Sequence, residues 1–68
     1  MVEIKLNGER KRVEAVDVLG LLHELGVSPV VGGLAVALNE VVIPRGQWAT
    51  TSLKDGDEVE LVRATAGG

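Results

Sequence analysis

The chain has 68 residues, enough for one small domain and no second core. It carries no cysteine and a single histidine, so disulfides, iron–sulfur clusters, cysteine-based zinc sites and thiol catalysis have nothing to build on. A formal charge of −3 offers nucleic acid no basic stripe, and the apolar 46% of the chain is aliphatic apart from Trp48, a composition that suits a sheet covered by a helix.

The opening Met1-Val2-Glu3-Ile4-Lys5 lacks the basic-then-apolar layout of a signal peptide, and no apolar run approaches the roughly 20 residues that span a bilayer. A cytoplasmic protein with no membrane partner is the expectation. Val2, Ile4 and Leu6 alternate with Glu3 and Lys5, the period-two pattern of a half-buried strand. Asn7-Gly8 supplies the positive φ angles of a tight hairpin turn. Residues 9–15 return as a more polar strand with Val13 and Ala15 on one face. Its Arg10-Lys11-Arg12 run reads as a solvated edge that discourages aggregation, in preference to a binding patch.

A helix follows. Asp17 is a good N-cap, and Val18, Leu21, Leu22 and Leu25 form one apolar stripe. Gly26 sits where a left-handed residue would end the helix, with Pro29 just beyond. His23 and Glu24 project from the other side, and His23 reads as a solvated surface residue. Ser28 to Gly33 is a loop, Leu34–Leu38 a buried strand, Asn39-Glu40 a turn and Val41–Ile43 a short strand. Pro44 breaks the pattern, and Arg45-Gly46-Gln47-Trp48 reads as a compact turn tucking Trp48 into the core. Lys54-Asp55-Gly56-Asp57 is a further turn. From Glu58 to Ala64 the chain alternates, with Val59 and Leu61 on one face and Glu58, Glu60 and Val62 on the other.

A hairpin crossed by one helix, with a late strand returning beside the first, describes an α+β, ubiquitin-like β-grasp. The expected sheet is mixed, with four to five strands, and one main helix packs on one face. Its first and last strands are expected parallel and central. Residues 1–64 form the domain, and Thr65-Ala66-Gly67-Gly68, with no apolar anchor, is expected to be a mobile tail.

With 9 glycines in the chain, a terminal pair alone is weak evidence, but beside a β-grasp pattern it is stronger. Glycine has no Cβ, so Gly67-Gly68 is thin enough to thread a narrow cleft, and the Gly68 carboxylate has no side chain to hinder attack. An enzyme could activate that carboxylate as a mixed anhydride and pass it to a nucleophile. The acidic cluster Asp55, Asp57, Glu58 and Glu60 has two readings that both stand on the residues alone. One is a soluble turn and strand face, and the other is an acidic surface that steers a basic partner toward the tail. Metal binding there lacks a calcium-loop spacing. Arg63, close to the tail, is either a partner contact or simply solvated.

Several stretches together resemble the sulfur carrier proteins of thiamin biosynthesis, the ThiS family. They are Leu6-Asn7-Gly8-Glu9, Leu25-Gly26-Val27, Val36-Ala37-Leu38-Asn39, Val42-Ile43-Pro44-Arg45 with Trp48, Leu53-Lys54-Asp55-Gly56-Asp57, and Gly67-Gly68. The resemblance covers essentially the whole chain. It implies a carrier that catalyses nothing itself and binds no cofactor or metal. A ThiF-like adenylyltransferase, related to ubiquitin-activating enzymes, would use ATP and magnesium to adenylate Gly68, with Thr65, Ala66 and Gly67 threaded into it. A sulfur donor such as a cysteine desulfurase would then yield a thiocarboxylate for a ThiG-like thiazole synthase. Asp57, Glu58, Glu60 and Arg63 form the candidate partner surface. One departure is that many relatives have glycine where this chain has Glu40, which bears on the turn and not on the tail. Alternatives are a carrier for molybdopterin, tRNA thiolation or cysteine synthesis, and a ubiquitin-like modifier conjugated through Gly68. A plain β-grasp binding module with an accidental ending is the remaining reading.

Overall fold

The computed structural model describes residues 1–30 and 32–63; the expected tail, residues 65–68, lies outside the described residues. The first hairpin joins β1 (Val2–Leu6) to β2 (Glu9–Val13), with Val2 opposite Val13 and Leu6 opposite Glu9. Asn7 and Gly8 turn the chain at φ 48° and 86°, the left-handed pair that a two-residue hairpin needs. β2 stops two residues short of the predicted end. The N–H groups of Glu14 and Ala15 donate instead to the Glu24 carboxylate, at 3.0 and 2.9 Å.

Those bonds tie the strand exit to α1 (Val18–Glu24). The Asp17 carboxylate accepts the Gly20 N–H at 2.7 Å, satisfying one of the donors a helix start leaves open. At the other end Val27 N–H donates to Leu22 O and Gly26 N–H to His23 O, with Gly26 at φ 74°. This is a Schellman stop, and it requires the glycine. Val18, Leu21 and Leu22 are fully buried, as the apolar stripe predicts.

The second hairpin joins β3 (Leu34–Leu38) to β4 (Val41–Ile43) through Asn39 and Glu40. β3 is uniformly apolar but buries one face only, with Leu34 and Val36 inside and Ala35 exposed. After Pro44 the predicted compact turn is a 3-10 helix, Arg45–Thr50. Trp48 is 2% exposed, its Nε1–H donates to Ile43 O at 2.9 Å, and the Arg45 guanidinium lies 4.7 Å from its ring centroid.

β5 (Glu58–Arg63) enters the middle of the sheet, giving the order β2-β1-β5-β3-β4. It runs parallel to β1 and antiparallel to β3, so the first and last strands are neighbours and neither is an edge. Ile4, Val13, Val36 and Val59 meet Val18, Leu21, Leu22, Trp48 and Leu53 on one face. All of the buried core lies on that side. The opposite face is open to solvent among the described elements.

Candidate functional site

Position 68 is reached through β5, and the geometry that matters is how β5 is held and what it shows to solvent. The parallel pairing with β1 ends at Leu6 opposite Val59, where the chain turns into the first hairpin. Asn7 takes over from there. Its N–H donates to Val59 O, and its side-chain oxygen accepts the Leu61 N–H, both at 2.9 Å. On the other edge Asn39 does the equivalent for the strand's beginning. Its N–H donates to Glu58 O at 2.7 Å, and its Oδ1 accepts the Glu58 N–H at 2.9 Å. Each asparagine adopts a positive φ, which asparagine tolerates better than most residues because its short polar side chain bonds locally. The two hairpin turns therefore grip the central strand from both sides.

The acidic residues just before and within β5 divide into two groups. Asp55 Oδ1 accepts the Glu3 N–H at 2.8 Å, and Gly56 N–H donates to Glu3 O at 2.9 Å, seating the turn against the start of β1. Asp57 accepts the Lys54 N–H at 2.8 Å and the Asn39 Nδ2–H at 3.0 Å. Both carboxylates are engaged by the fold. Glu58 and Glu60 instead alternate onto the open face of the sheet and are exposed. Arg63, also exposed, follows the alternation onto the helix-side face, in register with Leu34. So Asp57, Glu58, Glu60 and Arg63, grouped by sequence proximity, are not one surface; Glu58 and Glu60 share a face. Gly68 and the threading residues Thr65, Ala66 and Gly67 lie outside the described residues.

The open face is charged at one end and apolar at the other. Glu3 lies between Arg10 and Arg12, at 3.7 and 3.9 Å, and these exposed pairs contribute little to stability. An open groove of about 610 Å³ runs over this end, lined by Glu3, Lys5, Arg10, Arg12, Asp55 and Glu58 among others. At the far end Val62 pairs with Ala35, and Ala37 lies between Glu60 and Val42. The structural weight of Asn7 and Asn39 and the contiguity of this apolar end depend on pairings between residues distant in sequence. Only the alternation that set Val62 beside Glu58 and Glu60 pointed toward it. Among the described residues no group of three His, Asp or Glu is arranged to hold a metal ion, and no helix is long and apolar enough to cross a membrane.

The family model described as ThiS family matches residues 4–68. The chain belongs to the ThiS family. It is 31% identical to the ThiS thiamine biosynthesis protein of Geobacter metallireducens, whose crystal structure superposes with a TM-score of 0.82 over 98% of this chain and 100% of that one. The shared architecture is the ubiquitin-like β-grasp. Against the ThiS sulfur carrier protein of Escherichia coli it is 44% identical over 36 residues, 53% of this chain and 54% of that protein. A thiazole synthase of Magnetococcus marinus contains a stretch 38% identical over 68 residues, 98% of this chain but 20% of the synthase. The chain thus spans about half of one curated relative and a fifth of the other. The Escherichia coli relative is a sulfur carrier protein, and the Geobacter metallireducens protein is one of thiamine biosynthesis.

Proposed function

We propose that this ThiS chain carries sulfur on its Gly68 carboxyl group. The carboxylate attacks the α-phosphorus of ATP on a ThiF-like adenylyltransferase, pyrophosphate leaves with magnesium, and an acyl adenylate forms. A persulfide, supplied by a donor such as a cysteine desulfurase, then attacks the acyl carbon and AMP leaves. A partner thiol cleaves the resulting acyl disulfide to a thiocarboxylate, ending as a disulfide itself. The thiocarboxylate delivers its sulfur to a thiazole synthase. The carrier supplies the acyl group and the surface that presents it, and its partners supply the catalysis.

The observation that carries this reading is the family match running through Gly67 and Gly68, downstream of a strand fixed on both edges. A rigid strand leading to two residues without side chains suits delivery of a carboxylate into a narrow channel. The test is intact mass after incubation with ATP, magnesium, the adenylyltransferase and a sulfur source. A rise equal to one oxygen exchanged for sulfur, lost when Gly68 is deleted, is the expected result. Unchanged mass in the full-length protein would overturn the proposal.

A further inference from the structure

We infer that Asn7-Gly8 is a site of spontaneous covalent modification, where the asparagine cyclises and reopens as isoaspartate, releasing one side of the grip on β5. The two residues carry the chemistry themselves. The Gly8 nitrogen loses its proton and forms a bond to Asn7 Cγ. The Cγ–Nδ2 bond breaks, and that nitrogen leaves as ammonia with the proton. A succinimide ring remains, and water opens it at either of its carbonyls. Opening at the former side-chain carbonyl leaves aspartate. Opening at the main-chain carbonyl leaves isoaspartate, whose backbone runs through the former side chain and is one carbon longer.

The structure separates this site from the other asparagine, Asn39, and from the Asp55-Gly56 pair. Among the described residues neither the Gly8 N–H nor the Asn7 Nδ2 group donates to an acceptor, so the attacking nitrogen and the leaving group are both free. Glycine leaves that nitrogen unshielded, and a Cβ at Gly8 would meet no heavy atom within 4 Å. An open depression of about 460 Å³, lined by Asn7, Gly8, Glu58 and Glu60 among others, admits the water. Asn39 differs on both counts: the Glu40 side chain flanks the nitrogen, and Asn39 Nδ2–H donates to Asp57 Oδ1 at 3.0 Å. At Asp55-Gly56 the Gly56 N–H donates to Glu3 O at 2.9 Å, and Asp55 Oδ1 accepts the Glu3 N–H at 2.8 Å.

What restrains Asn7 is its pair of bonds to Val59 and Leu61 of β5. They sit at an exposed hairpin tip, the part of a fold that opens locally at least cost. The two products then diverge. Aspartate keeps the turn and leaves a carboxylate oxygen where the Leu61 N–H needs an acceptor. Isoaspartate lengthens a two-residue turn whose φ angles of 48° and 86° set Leu6 opposite Glu9, and it displaces the acceptor. The bond that carries β5 past the end of β1 is lost, on the strand that leads to Gly68.

The test ages the full-length protein in warm, mildly alkaline buffer in which circular dichroism shows it folded, and maps it by mass after trypsin. The peptide Leu6–Arg10 contains Asn7 and no other asparagine. A growing fraction of it should gain the mass of an NH₂ group exchanged for OH. That fraction should divide into two chromatographic species, one of them a substrate for an isoaspartyl methyltransferase. The peptides holding Asn39 and Asp55 should stay unchanged, and Asn7→Gly, which has no side-chain amide, should abolish the effect. The isoaspartyl form, isolated chromatographically, is expected to melt roughly 4–8 °C below wild type, with faster exchange of the Leu61 amide. Asn7→Asp, identical to the other product, should melt close to wild type. An unmodified Leu6–Arg10 peptide in the folded protein would overturn the inference, whether or not urea exposes the site. Faster modification at Asn39 or Asp55 would do so as well. A wild-type melting point for the isoaspartyl form would also overturn it, because the turn would then accommodate the longer backbone without loosening β5.

Discussion

The side-chain oxygen of Asn7 accepts the main-chain N–H of Leu61 at 2.9 Å, standing in for a strand that has already turned away. Asn7→Gly keeps the positive φ of the turn but removes that acceptor. The expected loss is about 1 kcal/mol. For a domain of this size that lowers the unfolding midpoint by roughly 4–8 °C in a thermal melt. A midpoint equal to wild type would show that the bond to Leu61 is dispensable.

Asp57 and Glu58 are adjacent in sequence and should behave oppositely. Asp57→Ala deletes the acceptor for Lys54 and Asn39 and is expected to cost about 1 kcal/mol. Glu58→Ala, whose side chain is exposed on the open face, should change stability by no more than about 0.5 kcal/mol. Urea denaturation of both, followed by Trp48 fluorescence, compares them directly.

Glu40 sits at φ 70°, where a side chain is strained and glycine is not. Glu40→Gly should raise stability by up to about 1 kcal/mol, the relief being partly offset by the freer unfolded chain. A lower denaturation midpoint would mean that the Glu40 side chain contributes more than its backbone conformation costs.

Trp48→Ala removes the largest side chain of the core together with its hydrogen bond to Ile43. Such truncations cost about 3–5 kcal/mol. A chain of this length has a total stability of roughly 3–10 kcal/mol. The variant should therefore be substantially unfolded at 37 °C by circular dichroism.

Gly67→Ala addresses the tail chemistry without touching the described fold. The added methyl group should slow adenylation on the activating enzyme while leaving the thermal midpoint unchanged. Pyrophosphate release is the readout, and an unaltered rate would remove the argument for a narrow channel.

Local signals were legible because each is written in neighbouring residues. Asn7-Gly8 specifies its turn, Asp17 and Gly26 bracket α1, and Val2, Ile4 and Leu6 declare the buried face of β1. Bonds between distant positions were not. Asn7 meets Leu61 across 54 residues and Asn39 meets Glu58 across 19, and nothing beside either asparagine encodes such a partner. The helical pattern places Glu24 on the side away from the apolar stripe, yet it accepts two N–H groups from the exit of β2. The acidic cluster looked uniform because charge is visible in sequence. Whether a carboxylate is already engaged depends on which backbone groups the fold brings to it.

The position of β5 also bears on synthesis. Until residues 58–63 have been made, β1 and β3 each lack their inner neighbour, and a nascent chain holds two separate hairpins and a helix with no sheet to cover. Isolated hairpins are marginal in water. Joining β1 to β5 must also close a loop of more than fifty residues before any contact rewards it, which makes folding slow for so small a protein. The strand that completes the sheet is also the one that leads to the glycines. A ribosome-stalled or proteolysed fragment lacking β5 therefore loses the fold together with everything downstream of it, so under the proposed carrier function half-made chains would not compete for an activating enzyme.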